Sequence, residues 1–94
     1  MDEKMRGYIE STFDKFLQTE IVPDVEWIQN VIPISSLRDL ALGHIIALLH
    51  TFASNTILFR TYQKPSKEDE DAIRIMVKRR LPDIVEKINR ELGR

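Results

Sequence analysis

The sequence predicts an all-α domain of four to five helices around one long central helix, over about residues 36–62. Three observations predict this class. Apolar residues recur at spacings of three and four, which places them on one face of a helix, and no segment alternates as a strand does. Prolines separate the periodic segments. The 20 residues from Leu40 to Phe59 contain no Lys, Arg, Asp or Glu, although 31% of the chain is charged.

Two helices are predicted before the central one. The first carries an apolar stripe made of Met5, Tyr8, Ile9, Thr12, Phe13, Phe16 and Leu17. A shorter second helix is expected to begin near Pro23, because proline is favoured in the first helical turn. It is expected to end at Pro33, because the residue before a proline is pushed out of the helical region. Trp27 lies off its apolar stripe, and we expect it to pack against another helix, with contact to a partner as the alternative.

The central helix is predicted to begin after Ser36, whose hydroxyl is a favoured N-cap and which forms a variant capping box with Asp39. Its length and its charge-free stretch match a membrane span. The stretch nevertheless contains six polar residues, which are costly in lipid: His44, His50, Thr51, Ser54, Asn55 and Thr56. We therefore expect a protein core and no membrane span.

The last helical segment is predicted to begin after a second N-cap, Ser66. Acidic residues follow in its first turn and basic residues lie nearer its end, as the helix dipole favours. Pro82 is expected to kink or end this helix, and Gly93 is expected to stop the apolar pattern that continues beyond it.

The chain forms a single domain, residues 1–94, and is too short to surround a helix that is apolar on most sides. We therefore expect a homodimer that packs through the 36–62 helix. The sequence has no cysteine, which excludes disulfides and thiolate metal sites and fits a reducing cytosol. Its charged N-terminus lacks the apolar region of a signal peptide, so we expect a cytoplasmic protein. Asn and Gln are scarce, three of each, which favours a thermophilic source.

Polar residues on the central helix are the candidate site. His44, Thr51 and Asn55 lie close to one line of the helix and predict a polar strip that sets the register of a helix pair. His50 joins them as an interface candidate. His44 and His50 are six residues apart, about 120° around a helix, so they do not share a metal on one helix. The function expected from these features is non-enzymatic interaction or assembly, with no cofactor and no metal.

One string favours an alternative function. The segment Arg38-Asp39-Leu-Ala-Leu-Gly-His44 resembles the Arg, polar residue, four-residue gap, His signature of the HEPN superfamily, and residues 77–88, with their Leu-Pro, resemble the last helix of small HEPN toxins. The resemblance implies an all-α dimeric, metal-independent ribonuclease, with Arg38 stabilising the phosphate and His44 acting as acid or base. On a regular helix these two residues lie about 120° apart, so a shared site requires a distorted first turn.

Charge is unevenly distributed along the chain. Residues 1–33 carry three basic and seven acidic side chains, whereas residues 60–94 carry ten basic and seven acidic ones. We expect the two ends to pack against each other; the alternative is an acidic partner for the basic end. A weak nucleic-acid surface would use Lys78, Arg79, Arg80, Lys87, Arg90 and Arg94. Acidic residues interleave with these and no aromatic residue lies among them to stack on bases, so we do not expect nucleic-acid binding.

Overall fold

The computed structural model describes residues 1–93 and shows an all-α protein with no strand in that range. Four α-helices follow one another along the chain. They are α1 (Glu3–Leu17), α2 (Pro23–Glu26), α3 (Leu37–Thr61) and α4 (Lys67–Leu92). A 3-10 helix, Trp27–Asn30, continues directly from α2. The predicted all-α class is thus confirmed, and the predicted central helix corresponds to α3.

Both predicted serine caps are present. The Ser36 hydroxyl accepts a hydrogen bond from the Asp39 N–H at 3.1 Å. At the start of α4, Ser66 and Asp69 form a complete capping box, in which each side chain accepts from the other residue's backbone N–H at 3.1 Å. These bonds satisfy amide groups that a helix N-terminus leaves without partners, and they fix where the two long helices begin.

The second helical segment is shorter than predicted. It ends at Asn30 rather than at Pro33, and its last four residues are 3-10 rather than α-helical. The Val31 N–H donates to the Ile28 carbonyl at 2.9 Å, which closes the segment as a tight turn. Val31 and Ile32 are 67% and 52% exposed. Because a single turn of helix is unstable without packing, no further turn forms.

Pro82 does not end α4, contrary to one of the two predicted outcomes. The helix continues through it for ten more residues. Pro82 is exposed, so water can solvate the carbonyl that its missing N–H leaves without a partner. Beyond the proline, Ile84 and Ile88 are fully buried. Their packing holds the second half of the helix in place, and Gly93 caps it as predicted.

The core lies along one side of α3. Every fourth residue of that helix is buried there, in the row Ala41, Ile45, Leu49, Ala53 and Ile57. The helix contacts α1, α2 and α4. From α1 the phenyl ring of Phe16 stacks on that of Phe52, with 4.2 Å between ring centroids. The main buried side chains of the other helices are Ile9 and Phe13 on α1, Val25 on α2, and Ile73, Met76, Ile84 and Ile88 on α4.

The acidic N-terminal part of the chain contacts the basic C-terminal part, as predicted. Arg80 of α4 forms ion pairs with two carboxylates of α1, Glu10 and, at 2.6 Å, Asp14. Farther along α4, the Glu91 carboxylate accepts hydrogen bonds from the backbone N–H groups of Ile21 and Val22, each at 2.8 Å. These contacts join residues about 70 positions apart and fix α4 against the first third of the chain.

Candidate functional site

The side of α3 opposite the buried row is open to solvent. It is formed by Gly43, Ala47, Thr51, Asn55 and Phe59, which also recur every fourth residue and are all exposed. We refer to these five residues as the open face. They lie roughly half a turn of the helix from the buried row, because two residues along an α-helix rotate by about 200°.

The open face is uncovered because the protein is thin. Its Cα atoms span 40 × 24 × 18 Å, and the smallest extent is that of roughly two packed helices. The other α-helices cover the buried side of α3 and leave this side bare. A Cβ atom added at Gly43 would meet no atom within 4 Å. The open face is therefore a smooth, uncharged strip on a protein that is elsewhere rich in charged residues.

Two further large side chains, Leu58 and Tyr62, lie next to Phe59 at the C-terminal end of the open face. Leu58, Phe59 and Tyr62 are 38%, 75% and 89% exposed. Tyr62 adopts a left-handed backbone conformation, with φ of 58°, and ends the helix there. Burying such side chains is worth about 1.5–3 kcal/mol each for an aliphatic or aromatic group. Their exposure is a strong reason to expect a covering partner.

His44 and His50 lie on opposite flanks of the open face. His44 is half-buried and lines a groove of about 270 Å³ between α3 and the α1–α2 region, together with Phe16, Ile21 and Leu48. His50 is also half-buried and lines a second groove, of about 210 Å³, on the α4 side. The two imidazoles therefore belong to different grooves. Within residues 1–93 no group of three or more His, Asp or Glu side chains is placed to hold a metal ion.

The predicted polar strip lies partly on the open face. Thr51 and Asn55 are exposed members of the face, and His44 lies half-buried at its edge. None of the three is enclosed between helices of a single chain. Their polar groups are thus available to a second chain that covers α3, which is the setting in which such a strip would fix helix register.

Arg38 does not converge with His44. The α-helix is regular from Leu37 onward, so the distorted first turn that a shared site requires is not formed. The Arg38 Nε donates to the Asn89 Oδ1 on α4 at 2.9 Å, whereas His44 faces α1 and α2. Within a single chain, Arg38 and His44 therefore form no shared cleft. The ribonuclease function that the HEPN resemblance implies stays a prediction.

The basic residues near the C-terminus are not all free to bind a partner. Arg80 is bound to Glu10 and Asp14, and Lys87 lies 3.5 Å from a Glu91 carboxylate oxygen. Lys78 and Arg79 are exposed next to Arg80. Arg94, the last member of the predicted basic surface, lies outside the described residues. Two of the six proposed cations are thus already engaged within the protein.

By length and composition, α3 also qualifies as a helix able to cross a membrane. Only 22% of its most apolar 18-residue stretch is buried inside the protein. Core helices of soluble proteins satisfy the same two criteria, so this property alone does not assign α3 to a membrane. It does confirm that the surface of α3 is unusually apolar for a helix that is exposed along one side.

The two small residues in the N-terminal half of the open face were not identified from the sequence. Gly43 and Ala47 carry no chemically reactive side chain. The available signal was their spacing: glycine, alanine, threonine and asparagine follow one another at intervals of four within the charge-free stretch. That interval places small side chains in one row, which allows another helix to approach closely.

Known proteins give no further guidance to the site: no protein-family profile matches the chain, and no curated protein or solved structure is significantly similar to it.

Proposed function

We propose that this chain is a small, non-enzymatic assembly protein that forms a homodimer by packing the open face of α3 against the same face of a second copy. One observation carries the proposal: the helix that contains the 20-residue charge-free stretch of a charge-rich protein is exposed along one side. Exposed apolar surface of this kind marks interaction sites in soluble proteins. A symmetric pair also covers it without requiring any other molecule.

An antiparallel pair suits the order of residues on the open face. A two-fold axis that crosses the open face between Ala47 and Thr51 places Ala47 opposite Thr51 of the second copy and Gly43 at the level of Asn55 of the second copy. Each smaller residue then meets a larger one, as close packing requires. The same operation places Leu40 opposite Leu58 of the second copy.

The composition of α3 favours a protein partner over lipid. Thr51 lies at the centre of the face and Asn55 follows it, and both side chains require hydrogen bonds when removed from water. A second copy can supply these bonds, whereas hydrocarbon cannot. The partner helix also provides small residues that allow its backbone to approach.

The proposal is tested by the concentration dependence of thermal unfolding. For a dimer that is stabilised by association, an increase of about a hundredfold in concentration adds about 2.7 kcal/mol and raises Tm by roughly 5–10 °C. The Ala47→Glu variant places two carboxylates at the centre of the interface, so we expect its Tm to be independent of concentration.

The control is Gln63→Glu, which adds the same charge on the exposed segment between α3 and α4. It should keep the concentration dependence of the original protein. A Tm that is the same at all concentrations for the unmodified protein would refute the proposal, as would an equal response of the two variants.

A further inference from the structure

A second exposed apolar patch lies on the segment between α2 and α3. Trp27, Val31 and Ile32 are 58%, 67% and 52% exposed. Trp27 begins the 3-10 helix, and Val31 and Ile32 follow that helix directly, so the three exposed side chains belong to one short segment. The patch shares no residue with the open face of α3.

Hydrogen bonds fix the segment that carries the patch. The indole Nε1 of Trp27 donates to the Asp24 carbonyl at 2.9 Å, which fixes the ring while leaving much of it exposed. Val25, two residues before Trp27, is buried in the core. One turn earlier, the N–H groups of Ile21 and Val22 are bound by Glu91. A surface fixed in this way loses little conformational entropy when a partner binds.

The segment that carries the patch contains charged residues of one sign, and Lys15 of α1 lines a groove together with Asp24. Between Lys15 and Arg38 the sequence contains no Lys, Arg or His, and its charged residues are Glu20, Asp24 and Glu26. Asp24 and Glu26 are exposed. Across residues 1–93, no basic side chain forms an ion pair with either of them. An exposed tryptophan thus lies beside two unneutralised carboxylates.

We propose that Trp27, Val31 and Ile32, with Asp24 and Glu26, form a docking surface for a basic, apolar helical segment of a partner protein. The apolar residues of such a segment would cover the tryptophan and its neighbours, and its Lys or Arg side chains would pair with the two carboxylates. Tryptophan is the residue type most enriched among energetically dominant interface positions. An anionic membrane surface is disfavoured because the two carboxylates would be repelled by its headgroups.

Trp27 makes the test direct because it is the only tryptophan in the chain. The probe is a synthetic amphipathic helix of Leu and Lys that carries a fluorescent label for anisotropy. Two control peptides separate the contributions of charge and apolar contact. A Leu–Glu peptide reverses the charge, and a Ser–Lys peptide removes the apolar side chains. We expect saturable binding of the Leu–Lys peptide with a blue shift of Trp27 emission. The other two peptides should bind at least about tenfold more weakly.

Two matched charge reversals locate the site. The double variant Asp24→Lys/Glu26→Lys should weaken binding of the Leu–Lys peptide by at least about tenfold. The double variant Asp83→Lys/Glu86→Lys changes the net charge equally at exposed positions on α4 and should bind as the original protein does. Circular dichroism establishes that both variants are folded.

Three results would overturn the proposal. The first is equal weakening by the two double variants, which would show that only net charge matters. The second is an unchanged Trp27 emission when the peptide binds. The third is a blue shift on concentrating the protein without peptide, or on adding vesicles of anionic lipid, since a second copy or a membrane would then be the occupant.

Discussion

Arg80 shows how a single residue joins two distant parts of the chain. Its guanidinium binds Glu10 and Asp14, and all three side chains are partly accessible to solvent. Burial by itself lowers the pKa of the Arg80 guanidinium, but the hydrogen bonds and charges of the two carboxylates outweigh burial and raise that pKa above its ordinary value. Arg80 therefore stays charged throughout the stable pH range and acts as a fixed link between α1 and α4.

Replacing Arg80 should cost more stability than replacing its neighbour. We expect Arg80→Met to lower the free energy of unfolding by about 1–2 kcal/mol, because two charge-assisted contacts are lost. Arg79→Met changes an exposed residue with no ion pair and should stay within about 0.5 kcal/mol of the original protein. Urea unfolding at one protein concentration measures both. Equal losses in the two variants would show that the ion pairs contribute nothing.

Glu91 is the second residue with a specific structural role. Its side chain is 5% exposed, and one oxygen accepts from two backbone N–H groups just before α2. Glu91→Ala leaves both donors without this partner, and we expect a loss of about 2–4 kcal/mol in the free energy of unfolding. Glu86→Ala, at an exposed position of the same helix, should change it by less than about 0.5 kcal/mol. Thermal unfolding distinguishes the two, and a negligible effect at Glu91 would contradict the contact.

Residue-scale contacts were only partly predictable from the sequence. The uneven charge distribution indicated that the two ends of the chain meet, and they do. Nothing in the sequence indicated that Arg80, rather than Lys78 or Arg79, forms the contact, because that choice depends on how α4 rotates against α1. The local caps at Ser36 and Ser66 were predictable, since their partners lie three residues away.

At the scale of elements, α4 contains an internal defect. Pro82 removes one backbone hydrogen bond from a 26-residue helix without ending it. A proline inside a helix costs about 3 kcal/mol relative to alanine, and part of this is recovered because proline stiffens the unfolded chain. We expect Pro82→Ala to raise the free energy of unfolding by about 1–2 kcal/mol in urea titrations. A decrease would show that the local geometry at Pro82 is needed for packing.

The two glycines inside helices provide a matched comparison of α1 and α3. A Cβ at Gly7 or Gly43 meets no atom within 4 Å, so alanine at either position should stabilise the isolated fold by about 0.5–1 kcal/mol. Only Gly43 lies on the open face. Gly43→Ala should therefore also weaken the dimer roughly 5- to 100-fold, because the added methyl group separates the two helices. Sedimentation at several concentrations gives both dissociation constants, and an unchanged value for Gly43→Ala would exclude close packing at this residue.

Element boundaries were predictable where local chemistry sets them. Ser36, Ser66 and Gly93 all mark helix ends as predicted. The second segment ended early and Pro82 failed to end α4 because tertiary packing decided both cases: Val31 and Ile32 contact no core, whereas Ile84 and Ile88 are fully buried. The sequence also did not predict which side of α3 is open, because apolar residues occur on all sides of this helix in the sequence pattern.

At the scale of the whole molecule, one chain covers only part of its central helix. The buried row of α3 completes the core with α1, α2 and α4, while the open face remains exposed. A thin, elongated protein with an uncharged side has the form expected of one subunit of a symmetric dimer. The proposed homodimer would cover the part of the charge-free stretch that one chain leaves exposed.

The mass of the unmodified protein in detergent-free solution, measured by sedimentation equilibrium, tests the homodimer most directly. Our account predicts a single species of twice the 11.0 kDa chain mass at low micromolar concentration, with the Ala47→Glu variant shifted to the mass of one chain. A stable species of one chain mass at every concentration would contradict it, because α3 would then be folded and soluble with its open face uncovered.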